Sequence, residues 1–309
     1  MTIDFDGRVA IVTGAGTGLG RSHALGLAAR GARVVVNDLG VSTDGQGQSS
    51  EAAGSVVEEI RASGGVAMAH GADVSDEAGV ADMVARAMEA WGRIDILVNN
   101  AGILRDKTFA KMTLDDFRKV VDVHLMGSAT CCHAVWPIMR AQKYGRIVLT
   151  ASGSGLYGNF GQSNYGAAKA AMVGLMNVLH IEGARDDIRV NTLAPTAATR
   201  MTENLLPPEA LDLLAPETIT PGLLYLVSDD APSRVILGAG AGSFAQTRIY
   251  ETEGVTLLDG DNTPEAVAAA FDRITDPHGQ QELGDAFTQT RKYARKAAEA
   301  RGLTLPWGD

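Results

Sequence analysis

A phenol and an ammonium stand four residues apart in QSNYGAAKAAM, residues 162–172. At that spacing Tyr165 and Lys169 share one face of a helix. Their neighbours are small and apolar, so the face is expected to be buried, where a charged Lys is expensive to keep. Taken alone, a packed Tyr and a snorkelling Lys would account for the pair. The chemistry open to it is proton transfer. A free phenol titrates near ~10, too high for a base at neutral pH. A cation one turn away stabilises the phenolate and lowers that value, and a positive nicotinamide ring would add to the effect. Ser152 lies thirteen residues upstream, at the end of a strand-like run, with a hydroxyl to hold a substrate oxygen. Hydride transfer between a carbinol and nicotinamide needs such a set, with Lys169 also bonding the nicotinamide ribose.

Those residues need a frame. The runs 8–13, 33–38, 66–70, 94–99, 146–151 and 188–194 are short, apolar and rich in β-branched residues. They read as strands covered on both faces. Helix-length segments fall between them, near 18–30, 50–63, 76–91, 114–141 and 163–182. This alternation predicts an α/β fold, a doubly wound parallel sheet of Rossmann-like type, with ligands beyond the C-terminal strand ends. The stretch 202–214 reads as a short amphipathic helix or flap, 235–242 as a last strand and turn, and 40–50 as a loop. Beyond it Thr263-Pro264 opens a helix whose apolar stripe is Val267, Phe271 and Ile274. The basic stretch at 291–301 reads as a solvated helix face.

The first strand ends in TGAGTGLG, with Gly14, Gly16, Gly18 and Gly20 opening a helix. Leu19 stands where the strict G-x-G-x-x-G spacing needs its third Gly. The physical logic survives: the backbone can approach a pyrophosphate, and the helix N-terminus supplies N–H groups. Asp38 ends the second strand, where an acid bonds adenosine ribose hydroxyls. Its charge repels a 2′-phosphate, and Thr17 adds no basic residue to the loop, so NAD is expected over NADP. Asp73-Val74 and Asn99-Asn100-Ala101-Gly102 end the third and fourth strands on the same rim.

Bulk properties narrow the partners. The net charge is -10 with no basic block, which argues against nucleic acid and anionic membrane. The six His are scattered, with no metal-ligand spacing. The two Cys are adjacent, Cys131 and Cys132, and read as packing residues in a reducing compartment. The acidic opening MTIDFDG reads as no targeting segment, no apolar run approaches the ~20 residues a bilayer needs, and the ending LPWGD lacks the S-K-L address. A cytoplasmic location is expected.

From about residue 7 to 242 the sequence resembles the short-chain dehydrogenase/reductase family. TGAGTGLG resembles its T-G-x-x-x-G-x-G turn, NNAG its N-N-A-G stretch, and Ser152 with Tyr165 and Lys169 its catalytic Ser and Y-x-x-x-K. The resemblance implies one dinucleotide-binding catalytic domain over 1–245, with a C-terminal extension over 246–309 packed on it. It makes Ser152, Tyr165 and Lys169 catalytic, with Tyr165 the acid/base, and Ser152 and Tyr165 the substrate contacts. The cofactor contacts it implies are Gly14, Thr17, Gly18, Leu19, Asp38, Asp73, Val74, Asn99, Ala101 and Gly102, joined by Tyr165 and Lys169. Asp73 would meet adenine, Asn99 would lie beside a ribose, and no metal is implied. A homodimer or homotetramer acting on a small molecule is expected.

Within the family, VVVNDLG, NNAGILRDKTF, KYGRIV and GNFGQSNY are most similar to the (3R)-hydroxyacyl-CoA dehydrogenase unit of peroxisomal multifunctional enzyme type 2 and its bacterial relatives. That resemblance implies NAD-dependent oxidation of a (3R)-3-hydroxyacyl-CoA to the 3-ketoacyl-CoA. Arg105 and Lys107 follow the fourth strand, where they would meet CoA phosphates. A hydroxysteroid (17β-type) or other secondary-alcohol dehydrogenase is the alternative. A non-catalytic dinucleotide-sensing regulator is a remoter one, since a sensor needs no tuned phenol. His124 occupies the place where most of the family has an Asn acting through its main-chain carbonyl, which His also provides. His124→Asn is therefore expected to retain activity. Pro195-Thr196 replaces the family's Pro-Gly after the sixth strand.

Overall fold

The computed structural model describes residues 2–40, 42, 44–45, 51–197, 212–258, 260 and 262–306. The chain divides into two units, Met1–Thr247 and Arg248–Asp309.

In the first unit seven strands run parallel: β1 (Val9–Thr13), β2 (Arg33–Asn37), β3 (Val66–His70), β4 (Ile96–Asn99), β5 (Gly145–Thr150), β6 (Ile188–Pro195) and β7 (Ile236–Gly240). With β8 (Ser243–Thr247) included, the sheet order is β3-β2-β1-β4-β5-β6-β7-β8, so the winding reverses between β1 and β4. In such sheets ligands gather at that switch point, outside the carboxyl ends of the strands.

The pleat sends alternate β1 side chains to two separate cores. Val9 and Ile11 pack with α3 (Glu77–Trp91), α5 (Gly127–Gln142) and α7 (Ser163–Gly183). Ala10 and Val12 pack with α1 (Gly18–Ala28), α2 (Glu51–Ala62) and α8 (Thr220–Leu226). The central runs read as strands covered on both faces, β1, β4 and β5, are buried in this way, whereas the edge strand β3 is largely open, with Val66 exposed.

Local signals set the helix ends. Asp76 accepts from Ala78 N and Gly79 N at the start of α3, and Gly92 closes it at φ 72°, a conformation suited to Gly. The expected helix over 114–141 begins as α4 (Leu114–Val121) and continues as α5. Between them Asp122–Met126 forms a π-turn. A one-turn helix, α6 (Gly153–Tyr157), follows β5.

The sheet is the doubly wound one expected, parallel except for β8, which pairs antiparallel with β7 at one edge. The helix predicted from Thr263 stops early. The Thr263 side chain does accept from Ala266 N, but α9 (Pro264–Ala269) is interrupted before α10 (Phe271–Ile274). Its stripe is not buried in this chain, with Val267 and Phe271 exposed. The flap at 202–214 lies outside the described residues except for 212–214, as does most of the loop at 40–50.

The second unit ends in α11 (Ala286–Ala300), capped by Asp285, whose side chain accepts from Thr288 N. Lys292 pairs with Glu251 and Lys296 with Glu253, so part of the basic stretch read as solvated is tied to acids of its own unit. No helix of the described residues is long and apolar enough to cross a membrane.

Candidate active site

The Gly-rich turn after β1 is a cradle that side chains would fill. Gly14 and Gly18 have φ of 62° and 54°, where an L side chain is strained. A Cβ on Gly14 would lie 2.8 Å from Ala101 Cα, and one on Gly20 only 2.1 Å from the Gly14 carbonyl oxygen. Gly16 is equally constrained, because a Cβ there would meet Asp38 Oδ2 at 2.8 Å. α1 has no acidic side chain in its first turn. Its N–H groups and positive potential therefore suit an anion.

Asp38 follows β2 directly. Its Oδ2 accepts from Gly16 N at 2.7 Å and its Oδ1 from Gly40 N at 2.7 Å. The carboxylate thereby fixes the turn while standing at the rim. Asn100, rather than Asn99, ties the fourth strand end to this turn. Its amide donates to the carbonyls of Thr13 and Gly14, while Asn100 N and Ala101 N both donate to Thr13 Oγ1. Asn99 is buried, and its amide donates towards Cys132 Sγ. Alternation along β4 turns the Asn99 side chain into the helical layer, while its backbone ends the strand at the rim. Asp73 holds Ser75 through its N and Oγ, and Val74 is buried where Gly127 passes close by. Thr17 and Gly18 stand exposed at the start of α1, with Leu19 partly buried behind them.

On the other side of the switch point, Ser152 caps α6, accepting from Ser154 N at 3.2 Å. A Cβ on Gly155 would lie 2.6 Å from Ala170 N, so this glycine lets α6 press against the backbone of α7. Ser152 thereby neighbours Tyr165, where its hydroxyl favours the phenolate and lowers the phenol. Lys169 is buried, its ammonium 5.6 Å from the Tyr165 ring centroid, and Nζ donates to the Thr150 carbonyl at 2.6 Å. Burial pushes Lys169 down to about 7. The predicted lowering of the phenol is not what the chain itself produces. Burial is the largest influence and raises Tyr165, the bond to Ser152 lowers it, and the charge of Asp106 raises it. Desolvating a phenolate outweighs one hydroxyl bond.

Several contributors escaped the sequence reading. Buried Asn164 accepts from Tyr165 N through Oδ1 and donates to the Arg105 carbonyl through Nδ2. Gln162 receives Ser154 Oγ and Asn159 Nδ2, and donates to Asp106. The signal for both lay in QSNY, polar residues at the head of an apolar helix. Arg105 and Lys107, the cations after the fourth strand, share one acidic partner. Both pair with Asp116, at 3.1 and 3.0 Å.

His124 sits in the π-turn, buried to 2% exposure, edge-on to Tyr165 with ring centroids 5.2 Å apart. A Cβ on Gly102 would fall 2.3 Å from its Cε1, so Gly at 102 makes room for the imidazole. Burial, aided by the Lys169 charge, pushes His124 down to about 3 against a bond to the Ile103 backbone. The ring is neutral at physiological pH.

A glycine cradle at a helix start, an acid after β2 and a Ser–Tyr–Lys set all share one sheet rim, which defines a dinucleotide-dependent oxidoreductase site. A profile described as short chain dehydrogenase matches residues 8–210, and the chain belongs to the short-chain dehydrogenase/reductase family. It is 45% identical over 305 residues to the peroxisomal hydratase-dehydrogenase-epimerase of Saccharomyces cerevisiae, covering 94% of this chain and 34% of the relative. Among solved structures, full-length peroxisomal multifunctional enzyme type 2 from Drosophila melanogaster superposes with a TM-score of 0.81 at 37% identity. That match covers 96% of this chain and 50% of the other. A 7α-hydroxysteroid dehydrogenase complexed with NADH and 7-oxo glycochenodeoxycholic acid gives a TM-score of 0.70 at 31% identity, over 78% of this chain and 95% of the other. The chain thus spans a third of the first of these multifunctional relatives and half of the second. It is an oxidoreductase that uses a nicotinamide dinucleotide and a small-molecule substrate.

Proposed function

We propose that the chain oxidises a (3R)-3-hydroxyacyl-CoA to the 3-ketoacyl-CoA with NAD. The observation that carries the chemistry is the buried Lys169 ammonium 5.6 Å from the Tyr165 ring centroid, with the Ser152 hydroxyl acting on the same phenol. NAD, when bound, supplies the hydride acceptor. Ser152 holds the substrate oxygen, and Tyr165 takes the hydroxyl proton. A cationic nicotinamide beside the site adds the positive charge that burial of the phenol demands. Lys169 bonds the nicotinamide ribose. The turn at Gly14, Thr17, Gly18 and Leu19 takes the pyrophosphate, Asp38 the adenosine ribose, Asp73 and Val74 the adenine, and Ala101 and Gly102 the remaining ribose by their backbone.

NAD over NADP is supported by the Asp38 carboxylate, which faces the rim with two backbone bonds and repels a 2′-phosphate. Support for the CoA thioester comes from the likeness to the multifunctional enzymes. A hydroxysteroid substrate is the second reading, favoured by the hydroxysteroid dehydrogenase neighbour. A homodimer or homotetramer belongs to the same proposal. So does a cytoplasmic setting, supported by two buried, unpaired thiols.

The test is a steady-state comparison with NAD and NADP. kcat/KM is expected to be highest for the R-hydroxyacyl-CoA, lower for its S enantiomer and lowest for a free hydroxysteroid. Equal or better efficiency with the steroid would favour the second reading, and preference for NADP would remove the role given to Asp38.

A further inference from the structure

Gln162 stands at the start of α7, yet its side chain makes no capping bond to that helix. Its amide is committed elsewhere. Oε1 accepts from Ser154 Oγ at 2.8 Å and from Asn159 Nδ2 at 3.0 Å, and Nε2 donates to Asp106 Oδ2 at 2.6 Å. The direction of these bonds is fixed. A carboxylate only accepts, so Asp106 demands the NH2 end of the amide and turns its oxygen towards Ser154 and Asn159. A flipped amide would set oxygen against carboxylate and NH2 against NH2.

Ser154 carries the line onward. Its hydroxyl is committed to Gln162, and its backbone N–H donates to Ser152 Oγ at 3.2 Å. Asp106, Gln162, Ser154 and Ser152 thus form one hydrogen-bond chain, from an exposed carboxylate to the hydroxyl beside the phenol. With one lone pair of Ser152 Oγ taken by that N–H, its own proton is left for a substrate oxygen. Both ends of the chain are anchored. Lys107 N donates to the Gly161 carbonyl at 2.9 Å and Asn164 Nδ2 to the Arg105 carbonyl at 3.0 Å, which docks 105–107 on the start of α7. A Cβ on Gly166 would come within 3.1 Å of the Ser154 carbonyl oxygen, so α6 sits directly on α7 there.

We propose that Gln162 is a positioning residue: held in one orientation by Asp106, it fixes Ser154 and through it aims the Ser152 hydroxyl at the substrate oxygen. The proposal rests on the roles given to Ser152 and Tyr165.

The test exchanges the amide and the carboxylate. In turnover of an R-hydroxyacyl-CoA with NAD, Gln162→Glu keeps the size of the side chain and an acceptor for Ser154 but sets two carboxylates face to face. It is expected to lower kcat by roughly tenfold to a hundredfold, the cost of a small misplacement at a reacting centre, with KM for NAD little changed. Asp106→Asn replaces a charge-assisted bond by a neutral one, and a loss of about threefold is expected. Combining the two restores an amide facing a carboxylate in the reverse sense, so most of the lost kcat should return. Native kcat in Gln162→Glu, or no recovery in the double variant, would overturn the proposal.

Hydrogen exchange reads α6 without turnover. The amides of Gly155 and Leu156 bond to the Ser152 carbonyl, and that of Gly158 to the Ser154 carbonyl. Their exchange should quicken in Gln162→Glu and slow again in the double variant. Unchanged exchange would sink the idea whatever reaction is catalysed. A native protein that turns over no secondary alcohol would instead remove the roles of Ser152 and Tyr165, and exchange would still decide whether Gln162 holds α6.

Discussion

The two ends of the sheet treat buried charge in opposite ways. Below the N-terminal strand ends, Arg146 is 1% exposed, yet its guanidinium donates to the carbonyls of Gly145, Asp187, Ser228 and Asp229 and to the Asp187 carboxylate. Tyr144 is stacked by the guanidinium groups of Arg8 and Arg146, and its hydroxyl donates to Asp229. Buried Asp95 accepts from Val9 N and from Arg93 and Arg8. Every charge there has its counterpart. At the C-terminal end the buried Lys169 has one carbonyl for company, and His124 keeps an unused lone pair. One end is satisfied and holds strands together. The other retains unmet polar demand that a dinucleotide, a substrate oxygen and water can meet, as a preorganised site should.

The sharpest way to break this contrast is at the phenol. Tyr165→Phe is expected to cut kcat by roughly 10²–10⁴-fold, the usual worth of a positioned acid/base, with folding stability and NAD affinity nearly unchanged. Near-native turnover would remove Tyr165 from the chemistry and leave the rim merely a binding surface.

Arg146→Met probes the opposite end. Removing one partner of a buried ion pair costs about 3–5 kcal/mol, and the lower figure is expected because Asp187 is 44% exposed and can turn to water. Chemical denaturation should register this loss, while kcat of the folded fraction stays native. A fall in kcat without a fall in stability would mean that the two ends are coupled.

A smaller effect is expected at the cofactor rim. Asp38→Asn removes the charge while keeping the shape and at least one backbone bond to Gly16 or Gly40. Relieving a like-charge contact is worth a kcal/mol or more, so kcat/KM for NADP should rise about tenfold against NAD. An unchanged ratio would show that the carboxylate serves the turn alone.

What the sequence disclosed follows from what is local. The apolar run VAIVT, the glycines of the turn and the Tyr165–Lys169 spacing are written within one element each, and the fold places them as those local patterns predict. What depended on distant partners was hidden. SFAQT carries no apolar face to announce an edge strand, and four of its five residues are exposed. The pairing of Arg105 and Lys107 with Asp116 was hidden because Asp116 belongs to α4, a separate element. The raised phenol was missed for the same reason: burial and the charge of Asp106 arrive from other segments. Asn99 and Asn100 look equivalent as letters, and only the pleat decides which faces the turn.

The finest test asks whether Lys169 costs the fold anything. Lys169→Met matches the stem and removes an ammonium that is buried with a single carbonyl partner. Catalysis should be lost, but folding stability should hold or rise, because the buried charge is the element out of balance. The pH dependence fixes the sign. Lys169 lies at about 7 in the folded chain against 10.5 for the ordinary group. Between those values the unfolded chain binds the extra proton, so native stability rises with pH across that window. The penalty from Lys169 is thus complete below about pH 7 and fades towards 10.5. Thermal denaturation of the cofactor-free protein should therefore show the Met variant at its greatest advantage near pH 6, shrinking as pH climbs towards 10. A Met variant less stable than the native chain at pH 6, by as much as Arg146→Met, would show that Lys169 is a structural charge like those at the other end, and the contrast between the two rims would collapse.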